Sequence, residues 1–518
     1  MNNKTCSFRH RVIARRKGRG VLLCTLILFV LCSALNINTR ADAGDLDVSF
    51  GSGGKVTTNF IGVHLARAVA IQNDGRIVVT GDGLFAIRYN ADGSLDSSFG
   101  SGGLVRIGIV ASGTAAAIQK DGKIVISGFT LSAPFNFFVV RLNIGGDLDA
   151  SFGSGGVVTT NFFGGFDIAQ SMAIQGDGKI VVAGSAGGPT GESHYALARY
   201  NTDGSLDSSF GVGGKVFTTE SPSSDDLFGI GIQSDQRIVA AGLNFLVRYN
   251  TNGSLDPSFG VGGLAPTLGV APESLALQPD GRIVVAGFGS TAFNFAVGRF
   301  DSSGNPDVSF GSRGVTATQL SSEDTAFDVA IQADGKIVAA GYTTNPLSGR
   351  DFALLRYNSD GALDTTFGTN GVVITDFAGR EDIIFGVAIQ SDGRIVTAGV
   401  AFLGAAEEDV ALARYGPGPS QAGNICIQDD RTNDRVSFNP DTGSYTFTQC
   451  GGRGVSFSGT AKVQRNQCSI QLKDAGLNQK LSLTFDSCQK KASATITGGG
   501  QTFAVIDSET SKNTCSCR

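Results

Sequence analysis

The side chains of this chain that could do chemistry are mostly carboxylates in the connections between short apolar runs. No two of these acids stand out as the general acid and base of a hydrolase. Gathered in one place, they could instead bind a cation or dock a basic partner. The remaining interpretation is a solvated rim that keeps the protein soluble. The candidate ligand-face residues are Asp167, Glu192, His194, Asp225, Asp226, Glu323, Asp324, Asp351, Glu381, Asp382, Glu407, Glu408 and Asp409; Glu273 lies in a loop of the same kind.

Other catalytic patterns are missing from the sequence. It has no G-x-S-x-G elbow, no G-x-x-x-x-G-K-S/T phosphate loop and no G-x-G-x-x-G fingerprint. The segment 90–96 has its glycine at the fourth position, whereas an EF-hand calcium loop needs it at the sixth. We therefore expect no catalytic residue, no metal ligand set and no resident cofactor, with calcium on the acidic loops as the one alternative.

The elements that must position these loops come from a repeat. Seven S/T-F-G triplets follow one another at intervals of 49 to 58 residues, and a fixed period of this length indicates a solenoid, a propeller or an array. The two histidines beyond the first 43 residues, His64 and His194, lie in different repeats, so we do not expect them to meet. The phenylalanines of the triplets are Phe50, Phe99, Phe152, Phe210, Phe259, Phe310 and Phe367.

Each repeat contains four short β-rich runs. In the first repeat these are 54–58, 68–72, 76–81 and 85–90, with an Asp-Gly turn between the second and third. A single four-stranded meander cannot bury both of its faces, whereas seven arranged around an axis can. The sequence therefore predicts an all-β fold with a seven-bladed β-propeller of seven four-stranded repeats. An open β-solenoid stack is the alternative.

Three stretches of the third repeat and its successor carry a resemblance to a known family. They are 174–184 (IQGDGKIVVAG), 196–201 (ALARYN) and 206–211 (LDSSFG), and all seven repeats have related residues. They resemble the delta-60 repeat of exported bacterial proteins. The resemblance implies a β-propeller-like repeat and no known activity. Two positions depart from it, since Gln236 replaces a turn glycine and Gly416 replaces an asparagine.

An aspartate and an arginine recur in every repeat. A catalytic site has no reason to appear seven times, so a structural role is expected, in which each aspartate caps a turn and pairs with an arginine. We also expect each S/T-F-G phenylalanine to pack between blades. The aspartates are Asp47, Asp96, Asp149, Asp207, Asp256, Asp307 and Asp364. The arginines are Arg88, Arg141, Arg199, Arg248, Arg299, Arg356 and Arg414.

The connections divide between two ends of such a fold. The Asp-Gly turn and the connection from the fourth run to the next first run are constant, and an up-and-down meander places both at one end. The other two connections vary in length and lie at the opposite end. Variable loops on a rigid scaffold usually carry binding, so we place any ligand there.

The first 43 residues have the pattern of an export signal. Seven basic residues precede an apolar run over 21–35, and Ala41-Asp42-Ala43 offers a cleavage site. An uncleaved anchor is the alternative, but this run is short for a bilayer span. We expect a secreted or cell-surface protein cleaved near Ala43, with no later membrane span. Residues 44–518 carry 33 basic and 45 acidic residues, net −12, which disfavours nucleic acid as a partner.

The cysteines separate the repeats from the C-terminal segment. None lies in the predicted propeller over 44–415, and a Gly/Pro linker is predicted over 416–423. A Cys-rich β domain over 424–518 is expected to be a small disulfide-braced β-sandwich, its pairing left open. A zinc site is the alternative, but the spacing does not fit. The disulfide candidates are Cys426, Cys450, Cys468, Cys488, Cys515 and Cys517.

Three functions remain open from the sequence. The first is a non-enzymatic exported scaffold whose variable loops bind an unknown protein, glycan or envelope component. The second is an extracellular polysaccharide hydrolase or lyase, and the third is a purely structural envelope protein. An enzyme should show a deep axial pocket with converging carboxylates or a metal, whereas a binding scaffold should show a shallow face and no perturbed acids.

Overall fold

The computed structural model describes residues 43–60, 65–188, 192–219, 226–404 and 408–416 in full. Within 425–507 it describes the backbone of the strands alone. Residues 1–42 of the predicted signal (1–43) and residues 417–423 of the predicted linker (416–423) lie outside the described residues. In the part of the chain that the structure describes, no helix is long and apolar enough to cross a membrane.

The repeats form seven antiparallel four-stranded sheets, and each sheet is one blade of a propeller. The innermost strands contact one another in succession around the ring. We number the blades 1 to 7 and give their strands from the innermost outward. Blade 1 contains β2 Ala66–Ile71, β3 Ile77–Gly81, β4 Phe85–Tyr89 and β5 Leu104–Arg106; blade 2 contains β6 Ala111–Ile118, β7 Ile124–Thr130, β8 Phe137–Leu142 and β9 Val157–Thr160; blade 3 contains β10 Asp167–Ile174, β11 Ile180–Gly187, β12 Ser193–Tyr200 and β13 Lys215–Thr218; and blade 4 contains β14 Leu227–Ile232, β15 Ile238–Gly242, β16 Phe245–Tyr249 and β17 Leu264–Pro266. Blade 5 contains β18 Val270–Leu277, β19 Ile283–Gly289, β20 Ala292–Phe300 and β21 Val315–Thr318; blade 6 contains β22 Asp324–Ile331, β23 Ile337–Asn345, β24 Gly349–Tyr357 and β25 Val372–Thr375; and blade 7 contains β26 Asp382–Ile389, β27 Ile395–Phe402, β28 Glu408–Tyr415 and β1 Lys55–Thr58.

The seven-bladed all-β propeller is confirmed, but a sequence repeat is not a blade. The first run of each repeat pairs with the fourth run of the repeat before it, as β5 does with β4. The expectation that the four runs of one repeat form one sheet is therefore wrong by one strand. This offset makes β1 the outer strand of blade 7, where it pairs with β28. Innermost strands β26 and β2 also pack together, so the ring is closed and is not an open stack.

The core lies between the blades. The second strand of each blade, counted from the innermost, is buried on both faces. This explains continuous apolar runs such as Ile180-Val181-Val182-Ala183, where a strand with one solvent-exposed face would alternate apolar and polar residues. Each cluster of buried side chains joins two neighbouring blades. Phe50, for example, is fully buried with Val79 of blade 1 and Leu412 of blade 7. Each repeat therefore buries its apolar surface only when its neighbours are present.

In six of the seven blades a glycine of the second strand approaches the innermost strand closely beside a β-bulge, whereas in blade 4 the corresponding Gly242 faces the side chain of Tyr195. A Cβ built on Gly184 would lie 2.0 Å from the carbonyl oxygen of Ile168, and one built on Gly341 would lie 1.9 Å from that of Thr325. The register shift of β10 falls between Ala169 and Ser171, next to this contact. Only glycine fits this close approach of two backbones.

Ala43 takes part in closing the ring. The amide of Gly368 donates a hydrogen bond to the carbonyl oxygen of Ala43 (2.8 Å). The same bond links other neighbouring blades, for example from the amide of Gly211 to the carbonyl oxygen of Asn252 (2.8 Å). Ala43 is buried in the cluster that joins blades 6 and 7. Cleavage directly after Ala43 would remove this hydrogen bond, whereas cleavage upstream would keep it.

The C-terminal strands form two antiparallel sheets. The first contains β29 Ile425–Gln428, β30 Arg435–Phe438, β31 Ser444–Thr448 and β32 Ser456–Thr460. The second contains β33 Lys462–Asn466, β34 Ser469–Lys473, β35 Lys480–Asp486, β36 Lys491–Gly498 and β37 Gln501–Asp507. The predicted disulfides concern side chains outside the described residues. Cys426 lies in β29, of which the backbone alone is described, and the other five cysteines lie between or after the described strands.

Candidate functional site

One end of the propeller carries a charge network that repeats in every blade. Asp207 accepts hydrogen bonds from the amide (3.1 Å) and hydroxyl (2.7 Å) of Ser209 through Oδ1, and from Nε of Arg199 (2.8 Å) through Oδ2. Lys179 of the Asp-Gly turn adds a second cation 3.0 Å from Oδ2. The Arg199 guanidinium also lies 4.4 Å from the centroid of the Phe210 ring. The other six aspartates each receive two cations in the same way.

These aspartates are held in the ionised form. Burial alone would raise the pKa of Asp207, but the hydrogen bonds from Ser209 and Lys179 and the charge of Arg199 outweigh burial and hold it well below its usual value. The pKa values of all six equivalent aspartates are also lowered. Arg199 further donates from Nη1 to the carbonyl oxygen of Thr251 in the next blade (2.5 Å). The network therefore links blade to blade, and we call this side the constant-turn end.

The opposite side is the variable-loop face. It consists of the loop between the second and third strands of each blade, together with the connection from each outer strand to the innermost strand of the next blade. The candidate acids lie there, but not all as a solvated rim. Glu192 and Glu323 are exposed, as is Glu381. The solvated-rim interpretation is wrong for five others, which are buried: Asp167, Asp324, Asp351, Asp382 and Asp409.

Three of the buried acids occupy one repeat position, the first residue of an innermost strand. Asp324 is saturated, because Oδ1 accepts from the hydroxyls of Ser321 and Thr343 (both 2.6 Å) and Oδ2 from the amides of Leu320 (2.7 Å) and Ser321 (2.9 Å). Asp167 and Asp382 each accept one loop amide through Oδ2. Their Oδ1 atoms are buried and have no hydrogen-bond partner among the described residues. The shared role of this position is to hold the loop that precedes the strand.

Blades 6 and 7 bring three carboxylates together. One oxygen each of Asp351, Asp376 and Asp382 lie within 4.8 Å of one another. The sequence analysis did not name Asp376 as a candidate. The one feature that could have identified it is that it is an acid at the position directly after the outer strand, where Asn59 and Asn161 stand in other repeats. Burial raises the pKa of Asp382 to about 7; the amide of Phe377 opposes this, while the charges of Asp376 and Asp351 add to it.

The remaining candidates do not converge. His194 lies in β12, 3.5 Å from Glu192 and with its ring 5.0 Å from that of Phe217. Asp226 accepts a long hydrogen bond from the hydroxyl of Ser193 (3.4 Å). Glu408 begins β28 and is half-buried, and buried Asp409 accepts from the side-chain amide of Asn59 (2.5 Å). Asp225, Glu407 and His64 lie outside the described residues.

An exposed apolar patch lies on the variable-loop face at blades 2 and 3. Val110, Leu131, Phe163 and Phe166 are 71%, 45%, 48% and 65% exposed. The loops that carry them are joined, because the Leu131 amide donates to the Val110 carbonyl (2.9 Å) and the ring of Phe135 stacks on that of Phe166 at 4.8 Å. We call Val110, Leu131, Phe163 and Phe166 the aromatic patch. Contiguous exposed apolar side chains of this kind are typical of interaction surfaces.

Two acids on neighbouring innermost strands have perturbed pKa values. Glu273 is the extra residue of the bulge in β18, and burial raises its pKa to about 7. Burial also raises the pKa of Asp328 in β22 to about 6, although Val387 donates its amide (2.8 Å) and Ser274 its hydroxyl (2.7 Å) to that carboxylate. A shallow binding face was expected to have no perturbed acids, so this observation departs from that expectation.

The repeats match a family model. Six segments match the family described as a domain of unknown function (DUF5122), beta-propeller: 72–99, 119–152, 175–210, 233–259, 278–310 and 332–367. With the closed ring, these matches define a β-propeller repeat protein. Curated proteins give no match to this chain.

Several solved structures are similar to this chain at low sequence identity. A catalytically inactive virginiamycin B lyase from Staphylococcus aureus, solved with quinupristin, has 12% identity and a TM-score of 0.44, and the match covers 69% of this chain and 98% of that one. The Pan2 WD40 domain of Neurospora crassa has 12% identity and a TM-score of 0.42, over 72% of this chain and 96% of that one. YCF48 from Cyanidioschyzon merolae has 10% identity and a TM-score of 0.39, over 70% and 99%.

Proposed function

We propose that this chain is an exported, non-enzymatic scaffold of the delta-60 repeat family, secreted or held at the cell surface, that binds a partner through its variable-loop face. The observation that carries this proposal is the aromatic patch. The two ends of the ring differ in what they present. At the constant-turn end each repeated aspartate is paired with two basic side chains, and exposed valines such as Val212 and Val261 come from separate repeats. The variable-loop face instead presents two exposed aromatic side chains, Phe163 and Phe166, on one loop.

The patch fits a protein partner. Phe163 and Phe166 stand on a loop that is fixed by two ring contacts, since Phe163 packs edge-on against Phe217 at 4.7 Å and Phe166 stacks on Phe135. Rigid, exposed aromatic side chains can bury area in an interface without a large loss of conformational entropy. The acidic balance of residues 44–518 further favours a partner with basic groups around its apolar contact.

The test compares two double variants. The purified chain without its predicted signal would be screened against protein and glycan arrays, and any hit measured by calorimetry. F163S/F166S removes the centre of the patch. V212S/V261S removes two equally exposed valines, 85% and 86% exposed, from the constant-turn end.

We expect F163S/F166S to weaken binding of a protein hit at least tenfold while the propeller still melts in one cooperative transition, and V212S/V261S to leave binding unchanged. Binding that ignores F163S/F166S, or that falls equally in both variants, would contradict the proposal. A hit among glycans and none among proteins would contradict the choice of partner.

The second candidate function, a polysaccharide hydrolase or lyase, is favoured by Glu273 and Asp328. A carboxyl group with a pKa near 7 is about half protonated at neutral pH, so Glu273 can serve as a general acid, while Asp328, with a pKa of about 6, is mostly ionised and can serve as a base. Glu273→Gln tests this directly, because the variant removes the proton donor and keeps the shape. Cleavage of a polysaccharide by the wild type that is lost in the variant would support this candidate, and no cleavage by the wild type would remove it.

A further inference from the structure

The boundary between blades 6 and 7 on the variable-loop face holds three acids from three separate strands or strand ends. Asp351 lies in β24, Asp376 follows β25 directly, and Asp382 begins β26. Asp351 and Asp382 are 1% and 0% exposed, while Asp376 is exposed. The cluster therefore has one exposed acid and two buried ones.

The fold satisfies only half of the two buried carboxylates. Asp382 accepts the Phe377 amide through Oδ2 (2.7 Å), and Asp351 accepts the side-chain amide of Asn345 and the hydroxyl of Ser348 through Oδ2 (both 3.0 Å). Both Oδ1 atoms are buried without a hydrogen-bond partner in the described ranges. A buried carboxylate oxygen without a donor is costly, so a ligand that binds both would offset that cost.

No basic side chain fills this gap in the described part of the chain. Lys55 lies close, but its Nζ donates to the main-chain carbonyl of Asp376 (3.1 Å). No salt bridge joins any of the three carboxylates to a described lysine or arginine. The cluster therefore keeps an excess of negative charge at one point.

The same three positions at other blade boundaries show that the fold does not need three acids there. Between blades 2 and 3 they are Asn136, Asn161 and Asp167, and the Asn161 side-chain amide donates to Oδ1 of Asn136 (2.6 Å). Between blades 7 and 1, Asn59 donates to Asp409 in the same way (2.5 Å). At these boundaries an asparagine stands at one or both of the first two positions, and Oδ1 of Asp167 is unpaired there as well. Blades 6 and 7 differ in having acids at all three positions.

Oxygen donors of this kind select a hard divalent cation. Two ligands on opposite sides of Ca²⁺ are about 4.6–5.2 Å apart at Ca–O distances of about 2.3–2.6 Å, which suits oxygens within 4.8 Å of one another. Mg²⁺ at about 2.0–2.1 Å also fits within that limit, but it demands near-ideal octahedral geometry and gives up its water reluctantly, whereas Ca²⁺ accepts several carboxylates in a flexible arrangement. We propose that Asp351, Asp376 and Asp382 form a calcium site that joins blade 6 to blade 7.

The test uses the full chain and calcium itself. D351N/D376N gives the blade 6–7 boundary the same amide, amide and acid set that blades 2 and 3 already have. E323Q/E381Q also removes two acids from the same face, but from exposed side chains. Each protein would be titrated with CaCl₂ by calorimetry and melted in EDTA, in calcium and in magnesium.

We expect the wild type to bind calcium and to melt about 2–4 °C higher in millimolar calcium than in EDTA. D351N/D376N should lose both effects while melting in EDTA no lower than the wild type, because it removes the repulsion of buried Asp382 by two neighbouring carboxylates. E323Q/E381Q should keep both. A wild type without calcium heat or shift, a shift that survives in D351N/D376N or is lost in E323Q/E381Q, or an equal shift from magnesium would overturn the proposal.

Discussion

At the scale of single residues, the same acid type has two opposite environments in one ring. Asp207 is ionised because two cations and a serine face it, whereas Asp382 meets other carboxylates and little that can stabilise its charge. The sequence alone separated these groups only by repetition: an aspartate present seven times was expected to be structural, and the geometry of all seven fits that role. Asp376 could not be found this way, because it becomes notable only beside Asp351 and Asp382.

Removing one of the repeated aspartates should destabilise the ring. Asp207→Ala leaves Arg199, nearly fully buried, without its carboxylate, so we expect a loss of about 3–5 kcal/mol in the free energy of unfolding. Asp177→Ala is the matched control, since Asp177 is exposed, caps its own turn and otherwise makes only a long ion pair with Lys179 (3.8 Å). Calorimetric melting curves measure both; a curve for Asp207→Ala that overlays the wild type would refute the structural role.

The network also sets how stability depends on pH. The pKa of each repeated aspartate is lower in the folded chain than the usual 3.8, so the folded state binds fewer protons than the unfolded state near that pH. Stability from these groups is complete above about pH 4 and is lost as the pH falls further. We expect unfolding, followed by circular dichroism, to steepen below about pH 4, and less steeply in Asp207→Asn. A flat profile from pH 5 to pH 2 would contradict this.

At the scale of elements, the period of the sequence predicted the β runs, and the constant and variable loops lie at opposite ends as expected. The pairing partner of the first run could not be predicted. That run is linked by loops on both sides, and an alternating pattern does not say which neighbour it joins. The consequence reaches the site, because Asp351, Asp376 and Asp382 meet only when β25 belongs to blade 6.

One turn shows a mismatch between residue and backbone. Gln236 has φ 68° where the other turns have glycine, for example Gly178 at 88°. A non-glycine residue in the left-handed region costs about 1 kcal/mol. Gln236→Gly should therefore raise the free energy of unfolding by about 0.5–1 kcal/mol, reduced by loss of the long contact from the Gly176 amide (3.4 Å). Gln236→Ala, which keeps the strain and loses that contact, is the control, and a gain in both variants would contradict the account.

At the scale of the whole molecule, closure follows from the one-strand offset. Every blade takes its outer strand from the next repeat, so blade 7 must take β1 from the first. Asp47 completes the network of blade 7 with Arg394 and Arg414 in the same step. Closure by β1 makes the constant-turn end continuous around the ring and leaves the variable-loop face as the side on which loops can change without cost to the scaffold.

A crystal structure of the full chain without its predicted signal, grown with calcium, tests this account most directly. The account predicts seven blades, with β1 beside β28, and one calcium ion held by Asp351, Asp376 and Asp382. Repeats that open into a spiral, or a first strand that pairs within its own repeat, would contradict the closed ring on which both proposals depend.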